Sequence, residues 1–157
     1  MRALIQRVAR CSVSMGGTTH STTGAGLLIL LGIRSGDSPE AAESLAARCA
    51  ALRIFDDVEG RMNLSIIDTG GEAMVVSQFT LYGDTRRGNR PSYTEAAPPA
   101  IAEPLYEAFV GALRNKLGSD RVGTGVFRAM MNVELVNDGP VTVLMESKNE
   151  SVLPGPR

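Results

Sequence analysis

The stretch GLLILLGI, residues 26–33, is a nearly continuous run of large apolar side chains, and it leads into SPEAAESLAARCAALRIF, residues 38–55. A run of this kind predicts a strand that is buried on both faces. The second segment predicts a helix with Ser38 as its N-cap and Pro39 as its first residue. One face of this helix is apolar and comprises Ala42, Leu45, Cys49 and Leu52.

Further strand patterns lie on either side of this pair. In LIQRVARCSVSM, residues 4–15, the apolar residues Ala9, Cys11, Val13 and Met15 alternate with polar ones, which is typical of a half-buried strand. Gly16-Gly17 predicts the turn that ends it. The run EAMVVSQFTLYG, residues 72–83, predicts a central strand. The segment FDDVEGRMNLS between helix and central strand predicts turns.

The C-terminal half predicts one more helix and a strand pair. A helix is expected over 103–117, with Pro104 in its first turn, Gly118 at its end and a stripe of Leu105, Phe109, Leu113 and Leu117. Residues 127–136 alternate as a strand, NDGP interrupts it, and VTVLME, residues 141–146, resumes it. We therefore predict a strand-dominated α+β fold with two main helices packed outside the sheet.

Length and composition indicate a single domain. The chain has 157 residues with 43% hydrophobic content, which suits one core, and residues 148–157 form a polar tail. No apolar run approaches the roughly 20 residues of a membrane span, and the N-terminus lacks a secretory apolar region. The cysteines, Cys11 and Cys49, match no CxxC spacing. We expect reduced thiols and a cytoplasmic location.

The charge pattern singles out one loop. A net charge of −1 disfavours a protein that coats duplex nucleic acid, although local contacts to a nucleic acid end are compatible with it. Arg86, Arg87 and Arg90 cluster in TRRGNR, directly after the predicted central strand. Such a cluster is ordinarily a solvated loop, and its position directly after the polar residues of the strand adds weight to contact with an anion or phosphate.

The residues available for chemistry exclude the common catalytic arrangements. The only histidine, His20, lies in a Gly-, Ser- and Thr-rich segment interpreted as a turn, so a Ser-His-Asp triad is disfavoured. Cys11 and Cys49 fall on predicted core faces, and one histidine with two scattered cysteines makes no zinc site. A hydrolase built from this chain would depend on backbone dipoles, amides, hydroxyls or groups of the substrate, which suits an activated ester.

Polar residues in the predicted central strand point to a site. Ser77, Gln78 and Thr80 follow an apolar run that is expected to enter the core. Burying an amide or hydroxyl without a partner costs about 1–3 kcal/mol. These side chains therefore either find partners within the sheet or face a binding site.

Two motifs, with supporting segments, resemble the D-aminoacyl-tRNA deacylases. They are SQFT, residues 77–80, and NDGPVT, residues 137–142, which match the family signatures SQxT and NxGPxT. MRALIQRV, GLLILLGI, LRIFDD, GRMNLS, GNRPSYTEAAPP and PLYEAF also match, so the resemblance extends from residue 1 to about 147. It departs from the family at Arg128, where glycine is more frequent, and in the C-terminal tail.

The resemblance implies a single deacylase domain over 1–147 that forms a barrel-like homodimer with active sites near the interface. The pocket for the terminal adenosine and its aminoacyl ester would be lined by Ser77, Gln78, Phe79 and Thr80. The backbone amides of Phe79 and Thr80 would lie near the reacting carbonyl. Because the chain offers no base to activate the Thr80 hydroxyl, we favour a backbone role assisted by the ribose 2′-hydroxyl of the substrate.

The second motif is implied to reject L-amino acids. Gly139-Pro140 would be cis and would reach into the partner subunit's pocket, with its carbonyl oxygens where an L-side chain would lie. Arg7 would hydrogen-bond the backbone of this motif. The tRNA would be contacted by Arg86, Arg87, Arg90 and Tyr93, and neither cofactor nor metal is expected. Glycine mischarged on tRNA(Ala) would also be removed.

Two alternatives stay open from the sequence. A related deacylase has a trans Gly-Pro bond and corrects a mischarged L-amino acid, and Arg7 argues against it. A non-catalytic module that binds RNA ends would use the arginine loop and Tyr93. NDGP is also compatible with an ordinary turn, and Arg7 with an exposed strand residue.

Overall fold

The structure, a computed structural model, describes residues 1–148; apart from Lys148, the predicted polar tail lies outside the described residues. The strands are β1 (Arg2–Met15), β2 (Thr18–Thr23), β3 (Gly26–Gly32), β4 (Phe55–Asp56), β5 (Met62–Leu64), β6 (Glu72–Ser77), β7 (Val122–Thr124) and β8 (Asn132–Glu146). The helices are α1 (Pro39–Ala50), α2 (Ile66–Thr69) and α3 (Pro99–Leu117).

Six strands form one strongly curved sheet. β1 pairs with β8 along nearly its whole length, and with β3 and then β2 along its other edge, all antiparallel. β3, β6 and β7 continue the sheet as parallel neighbours. β7 returns to β2, where a Cβ on Gly123 would lie 2.6 Å from Ser21 Oγ. The sheet is therefore a nearly closed barrel with helices outside, which confirms the predicted α+β class.

Two apolar clusters lie on opposite faces of this sheet. The larger one, between the sheet and helices α1 and α3, includes Ile5, Ile29, Leu45 and Phe109. The smaller one lies inside the barrel and comprises Val8, Cys11, Val13, Leu28, Met74 and Val76. Successive residues of β3 and β6 thus alternate between two buried faces, which explains why GLLILLGI is apolar at almost every position.

The predicted alternation of β1 is interrupted by a bulge. Ala9, expected to face the core, is exposed, whereas the neighbours Arg7 and Val8 are both buried. The pairing register with β8 shifts between Gln6 and Val8 and again between Val8 and Arg10. Such irregularities change which face successive residues occupy, and a simple period-two pattern does not anticipate them.

Both main helices are present with different bounds. The Ser38 side chain accepts a hydrogen bond from Ala41 N, as expected of an N-cap, but α1 ends at Ala50 and not at residue 55. α3 begins at Pro99, four residues before the predicted start, so Pro104 lies inside the helix and not in its first turn. The buried stripe from Leu105 to Leu117 is confirmed.

Segments taken for turns contain regular structure. Residues 55–64 form the β4–β5 hairpin, and α2 follows it with a capping box between Ser65 and Asp68. His20 lies exposed in β2 and not in a turn. Four of the six residues of β2 are β-branched threonines, which favour a strand, and β2 pairs with β1. No helix within residues 1–148 is long and apolar enough to cross a membrane.

The predicted strands at 72–83 and 127–136 are both too long. β6 ends at Ser77, and a 3₁₀ turn follows over Phe79–Tyr82. Residues 125–131 form a loop after β7, hereafter the 125–131 loop, and β8 begins only at Asn132. In this loop Arg128 has a positive φ of 63°, which is incompatible with a strand.

The NDGP segment lies within β8 and does not interrupt it. The Asn137 side chain accepts a hydrogen bond from Val141 N at 2.8 Å and donates to Val141 O and Thr142 Oγ1, each at 3.3 Å. Residues 138–140 bulge outward between these two ends. The side-chain amide replaces the lost backbone partners, so the strand resumes after the bulge.

Candidate active site

An open pocket of about 600 Å³ lies where β6 ends. One wall is formed by the sequence-predicted residues Ser77, Gln78 and Phe79. The opposite wall is formed by residues 127–131, and the first turn of α3 supplies a third side. The end of a strand in the sheet thus opens into a cleft between a helix and a loop, a frequent position for a small-ligand site.

The SQFT motif is fixed by the strand before it. Gln78 N donates to Leu31 O at 2.8 Å, which continues the β3–β6 pairing beyond the end of β6. The 3₁₀ turn then begins, and its first bonds run from Leu81 N to Gln78 O and from Gly83 N to Thr80 O. The N–H groups of Phe79 and Thr80 precede these bonds and donate to no carbonyl within residues 1–148. They are the unpaired donors that the start of a helical turn leaves available.

The side chains of the motif differ in exposure. Ser77 and Gln78 are half-buried, whereas Phe79 and Thr80 are exposed. Gln78 Nε2 donates a hydrogen bond to Thr80 Oγ1. Thr80 does not line the pocket, although its neighbours do. Its hydroxyl therefore faces an amide donor and not a base.

No general base lines the pocket within the described part of the chain. Its ionisable lining residues are Tyr93 and Arg128, and no histidine, carboxylate, lysine or cysteine lines it. Burial raises the pKa of Cys11 to about 11 and that of Cys49 to about 12, so both thiols stay protonated. Among residues 1–148 no cluster of three or more His, Cys, Asp or Glu could hold a metal ion.

Tyr93 joins the pocket to the arginine loop. Its ring packs edge-on against Phe79, with the ring centroids 5.0 Å apart. The segment between Phe79 and Tyr93 contains a loop whose two ends, Asp84 and Ser92, are joined by two backbone hydrogen bonds of 2.8 and 2.9 Å. Arg86, Arg87 and Arg90 therefore belong to one loop, residues 84–92, and Tyr93 follows this loop directly and lines the pocket.

The three arginines of this loop are not equivalent. Arg86 makes a bidentate pair with Asp84, with Nε–Oδ1 and Nη2–Oδ2 distances of 2.9 and 2.7 Å. Hydrogen bonding to Arg86 lowers the pKa of the Asp84 carboxyl to about 2. Arg87 and Arg90 are exposed and form no ion pair within the described residues. Two of the three cations are therefore available to an outside anion.

The Gly139-Pro140 segment is exposed and held from beneath by Arg7. The peptide bond between Gly139 and Pro140 is cis. Arg7 is 8% exposed and donates through Nε to Asp138 O at 2.9 Å and through Nη1 to Ile54 O at 2.8 Å. Neither Arg7 nor the Gly-Pro pair lines the pocket of its own chain. Within one chain, the structure joins Arg7 to this motif and leaves the SQFT pocket separate.

Gly139 has no room for a side chain. Its φ is +141°, and a Cβ would lie 2.7 Å from Val141 Cγ2 and 3.4 Å from Arg7 Nη2. L-residues rarely adopt this backbone conformation. The glycine is therefore required by both the backbone and its neighbours.

Sequence reasoning missed the wall opposite the motif. The strand predicted over residues 127–136 includes residues 127–131 of the 125–131 loop, because apolar and polar residues alternate there. The loop is held by Val126 N, which donates to Met131 Sδ at 3.3 Å, and by Gly125 N, which donates to Val75 O at 3.0 Å. Glycine at the position of Arg128 in similar proteins was the available signal, since it suggests a left-handed residue.

Known proteins are similar to this chain over the residues that form the site. The sequence matches the family described as D-Tyr-tRNA(Tyr) deacylase over residues 4–146, which include both motifs and the 125–131 loop. A D-aminoacyl-tRNA deacylase of a Roseiflexus species is 60% identical over 147 residues, covering 94% of each chain. The D-aminoacyl-tRNA deacylase of Anaeromyxobacter dehalogenans is 55% identical over 148 residues, covering 94% of this chain and 98% of that one.

Solved structures share the fold. The chain described as the c-Myc DNA unwinding element binding protein superposes with a TM-score of 0.90 at 38% identity, covering 94% of this chain and 99% of that one. A probable eukaryotic D-amino acid tRNA deacylase superposes with a TM-score of 0.81 at 16% identity, covering 92% and 98%. The protein belongs to the D-Tyr-tRNA(Tyr) deacylase family.

Proposed function

We propose that this protein hydrolyses the ester bond between a D-amino acid and the terminal adenosine of tRNA, releasing free amino acid and tRNA. The observation that supports this most directly is the start of the 3₁₀ turn beside the pocket, where the Phe79 and Thr80 N–H groups have no internal acceptor. Family membership and the names of the similar proteins give the substrate class.

In this mechanism the chain supplies position and electrostatics. Water adds to the ester carbonyl, and the two backbone N–H groups stabilise the oxyanion that forms. Collapse of the tetrahedral intermediate breaks the ester bond and returns a proton to the ribose 3′-oxygen. The adjacent 2′-hydroxyl of the substrate assists proton transfer, since the described pocket offers no side-chain base. An activated ester needs little more than such preorganisation.

Rejection of L-amino acids is assigned to Gly139, Pro140 and Arg7, acting on the pocket of a partner subunit in a homodimer. Two features support this assignment. The Gly-Pro segment is exposed on its own chain, and it is held by the buried Arg7 and by Asn137. A rigid backbone wall is needed because contacts to one small side chain discriminate by only about 1–3 kcal/mol, whereas protecting the abundant L-aminoacyl-tRNA requires about 5.5 kcal/mol.

Deacylation assays test the proposal. We expect rapid hydrolysis of D-tyrosyl-tRNA and of glycyl-tRNA carried on tRNA(Ala), because glycine has no Cβ for the wall to reject, and slow hydrolysis of L-alanyl- and L-tyrosyl-tRNA. Preferential cleavage of an L-aminoacyl-tRNA would identify the related deacylase that corrects L-amino acids. Binding without any cleavage would identify an RNA-end-binding module. Cleavage of D-tyrosyl-tRNA with glycyl-tRNA intact would contradict rejection and indicate positive recognition of a D-side chain.

The homodimer, the cytoplasmic location and the single deacylase domain over 1–147 belong to the same proposal. Light scattering coupled to size-exclusion chromatography measures the first of these, and a mass of one chain at assay concentrations would contradict it. A truncated protein ending at residue 147 is expected to retain full activity, because both motifs and the whole sheet precede that residue.

A further inference from the structure

Arg128 is the one non-glycine residue within 1–148 with a positive φ, 63°. This left-handed conformation is unfavourable for a residue with a Cβ, and glycine adopts it without that penalty. Local strain of this kind persists where the surrounding structure imposes it, and it is frequent at functional sites. The presence of an arginine at this position, where glycine would avoid the strain, therefore needs an explanation.

The loop around Arg128 imposes this conformation. Ala129 N donates to Val126 O at 3.2 Å, which closes a tight turn across Arg128, and Met131 Sδ accepts the Val126 N–H. Phe127 packs against Tyr106, with the ring centroids 5.8 Å apart. The loop is thus anchored on both sides of Arg128, and its backbone places the arginine at the pocket.

The charge of Arg128 is unbalanced. It is exposed and is the one charged residue among those that line the pocket in the described chain. No carboxylate within residues 1–148 lies within ion-pair distance of it, whereas Arg86, also exposed, is paired with Asp84. An exposed guanidinium on the wall of an otherwise uncharged pocket attracts an anionic part of whatever the pocket binds.

We propose that Arg128 binds the phosphodiester that links the terminal adenosine of the tRNA to the preceding nucleotide. The inference rests on the proposed function, since it assumes that the pocket receives that adenosine. A nucleoside and its amino acid are uncharged apart from the α-amino group, so the nearest negative charge on the RNA is the 5′-phosphate of the adenosine. A guanidinium presents paired N–H donors that match the oxygens of a phosphate.

The test compares two probes that resist hydrolysis because an amide replaces the ester. One is 3′-deoxy-3′-(D-tyrosylamino)adenosine, and the other is the same compound with a 5′-phosphate methyl ester, which mimics the phosphodiester. We expect the wild-type protein to bind the phosphorylated probe about fivefold more tightly in calorimetry, the size of one exposed ionic contact. In Arg128→Gly and Arg128→Asn this preference should disappear while the unphosphorylated probe binds as before. Arg128→Lys, which keeps the charge, should retain part of it.

A matched control and a stability measurement separate binding from structure. Lys116 is exposed near the end of α3, about 20 Å along the helix from the pocket, and Lys116→Gln should keep the full preference. Arg128→Gly and Arg128→Asn should not lower the melting temperature, because both residues tolerate a positive φ. With intact tRNA, the slope of log affinity against log salt should fall by about 0.7 in both variants.

The possible results distinguish the two proposals. If the wild-type protein binds neither probe, the pocket is not an adenosine site and both proposals fail. If it binds both probes equally, or if Arg128→Gly keeps the preference, the adenosine site stands and the role of Arg128 is refuted.

Discussion

Removing the Arg7 guanidinium should lower both stability and discrimination between D- and L-substrates. Arg7→Met keeps most of the aliphatic stem and leaves the carbonyls of Ile54 and Asp138 without their donors, which lie at 2.8 and 2.9 Å. A hydrogen bond from a charged donor contributes about 1.5–3 kcal/mol, and the variant no longer carries the cost of burying a charge. The net loss should therefore be about 2–4 kcal/mol, or roughly 5–15 °C in melting temperature.

The effect on activity follows from the Asp138 contact alone. If that bond holds the Gly-Pro wall in place, its loss should reduce the ratio of D- to L-tyrosyl-tRNA hydrolysis by about 10- to 100-fold, mainly through faster cleavage of the L-form. The assay is the single-turnover decay of each aminoacyl-tRNA at a temperature where the variant is folded. Arg10→Met is the matched control, since Arg10 lies on the same strand, is exposed and forms no ion pair within residues 1–148. It should change neither quantity.

The outcome of this experiment separates two roles of Arg7. A lower melting temperature with an unchanged D-to-L ratio would make Arg7 a structural residue and would refute its role in rejection. An unchanged melting temperature would refute the energetic value assigned to its hydrogen bonds with the carbonyls of Ile54 and Asp138.

Three further experiments test other parts of the protein. Thr80→Val should retain much of the D-tyrosyl-tRNA activity, because no base activates the hydroxyl, and complete loss in a folded variant would contradict this. Arg87→Ala combined with Arg90→Ala should weaken tRNA binding and flatten its salt dependence. Arg86→Ala should flatten the salt dependence less, because the charge it removes is already paired with Asp84. Equal effects of the two variants would refute the distinction between paired and unpaired arginines. Tyr106→Phe should lower the melting temperature by about 2–4 °C, since its buried hydroxyl donates to a strand carbonyl at 2.9 Å, and an unchanged value would show that this bond adds nothing.

The sequence predicts well where one physical signal dominates. β3 is apolar on both faces, and α1 begins with a serine N-cap whose side chain accepts the expected bond from Ala41 N. The stripe from Leu105 to Leu117 identifies α3, because core contacts recur with the helical period. Its start at Pro99 was missed because Pro104 inside a helix removes a backbone bond, a cost that packing of this long helix offsets.

The walls of the pocket could be predicted only in part. Ser77 and Gln78 come directly after the buried residues of β6, and both line the pocket. The opposite wall was not predicted, because the alternation of apolar and polar residues around Phe127 and Met131 is typical of a strand, whereas both residues lie in a loop. The positive φ of Arg128 is what distinguishes this loop from a strand. In the sequence of this chain, only a glycine or asparagine at that position would have indicated such a conformation.

The contact between Arg7 and the Gly-Pro motif depends on register, which no local pattern specifies. In the β1–β8 pairing, Gln6 is opposite Thr142 and Val8 is opposite Asn137, so residues 138–141 of β8 face the single residue Arg7. The extra residues must bulge outward, and Arg7 supplies the donor that the bulged backbone lacks. β1 changes faces at the neighbouring register shift, between Val8 and Arg10, because Val8 and Cys11 are three residues apart and both lie inside the barrel. Two neighbouring irregularities in this strand pair therefore shape the barrel and present the motif at the surface.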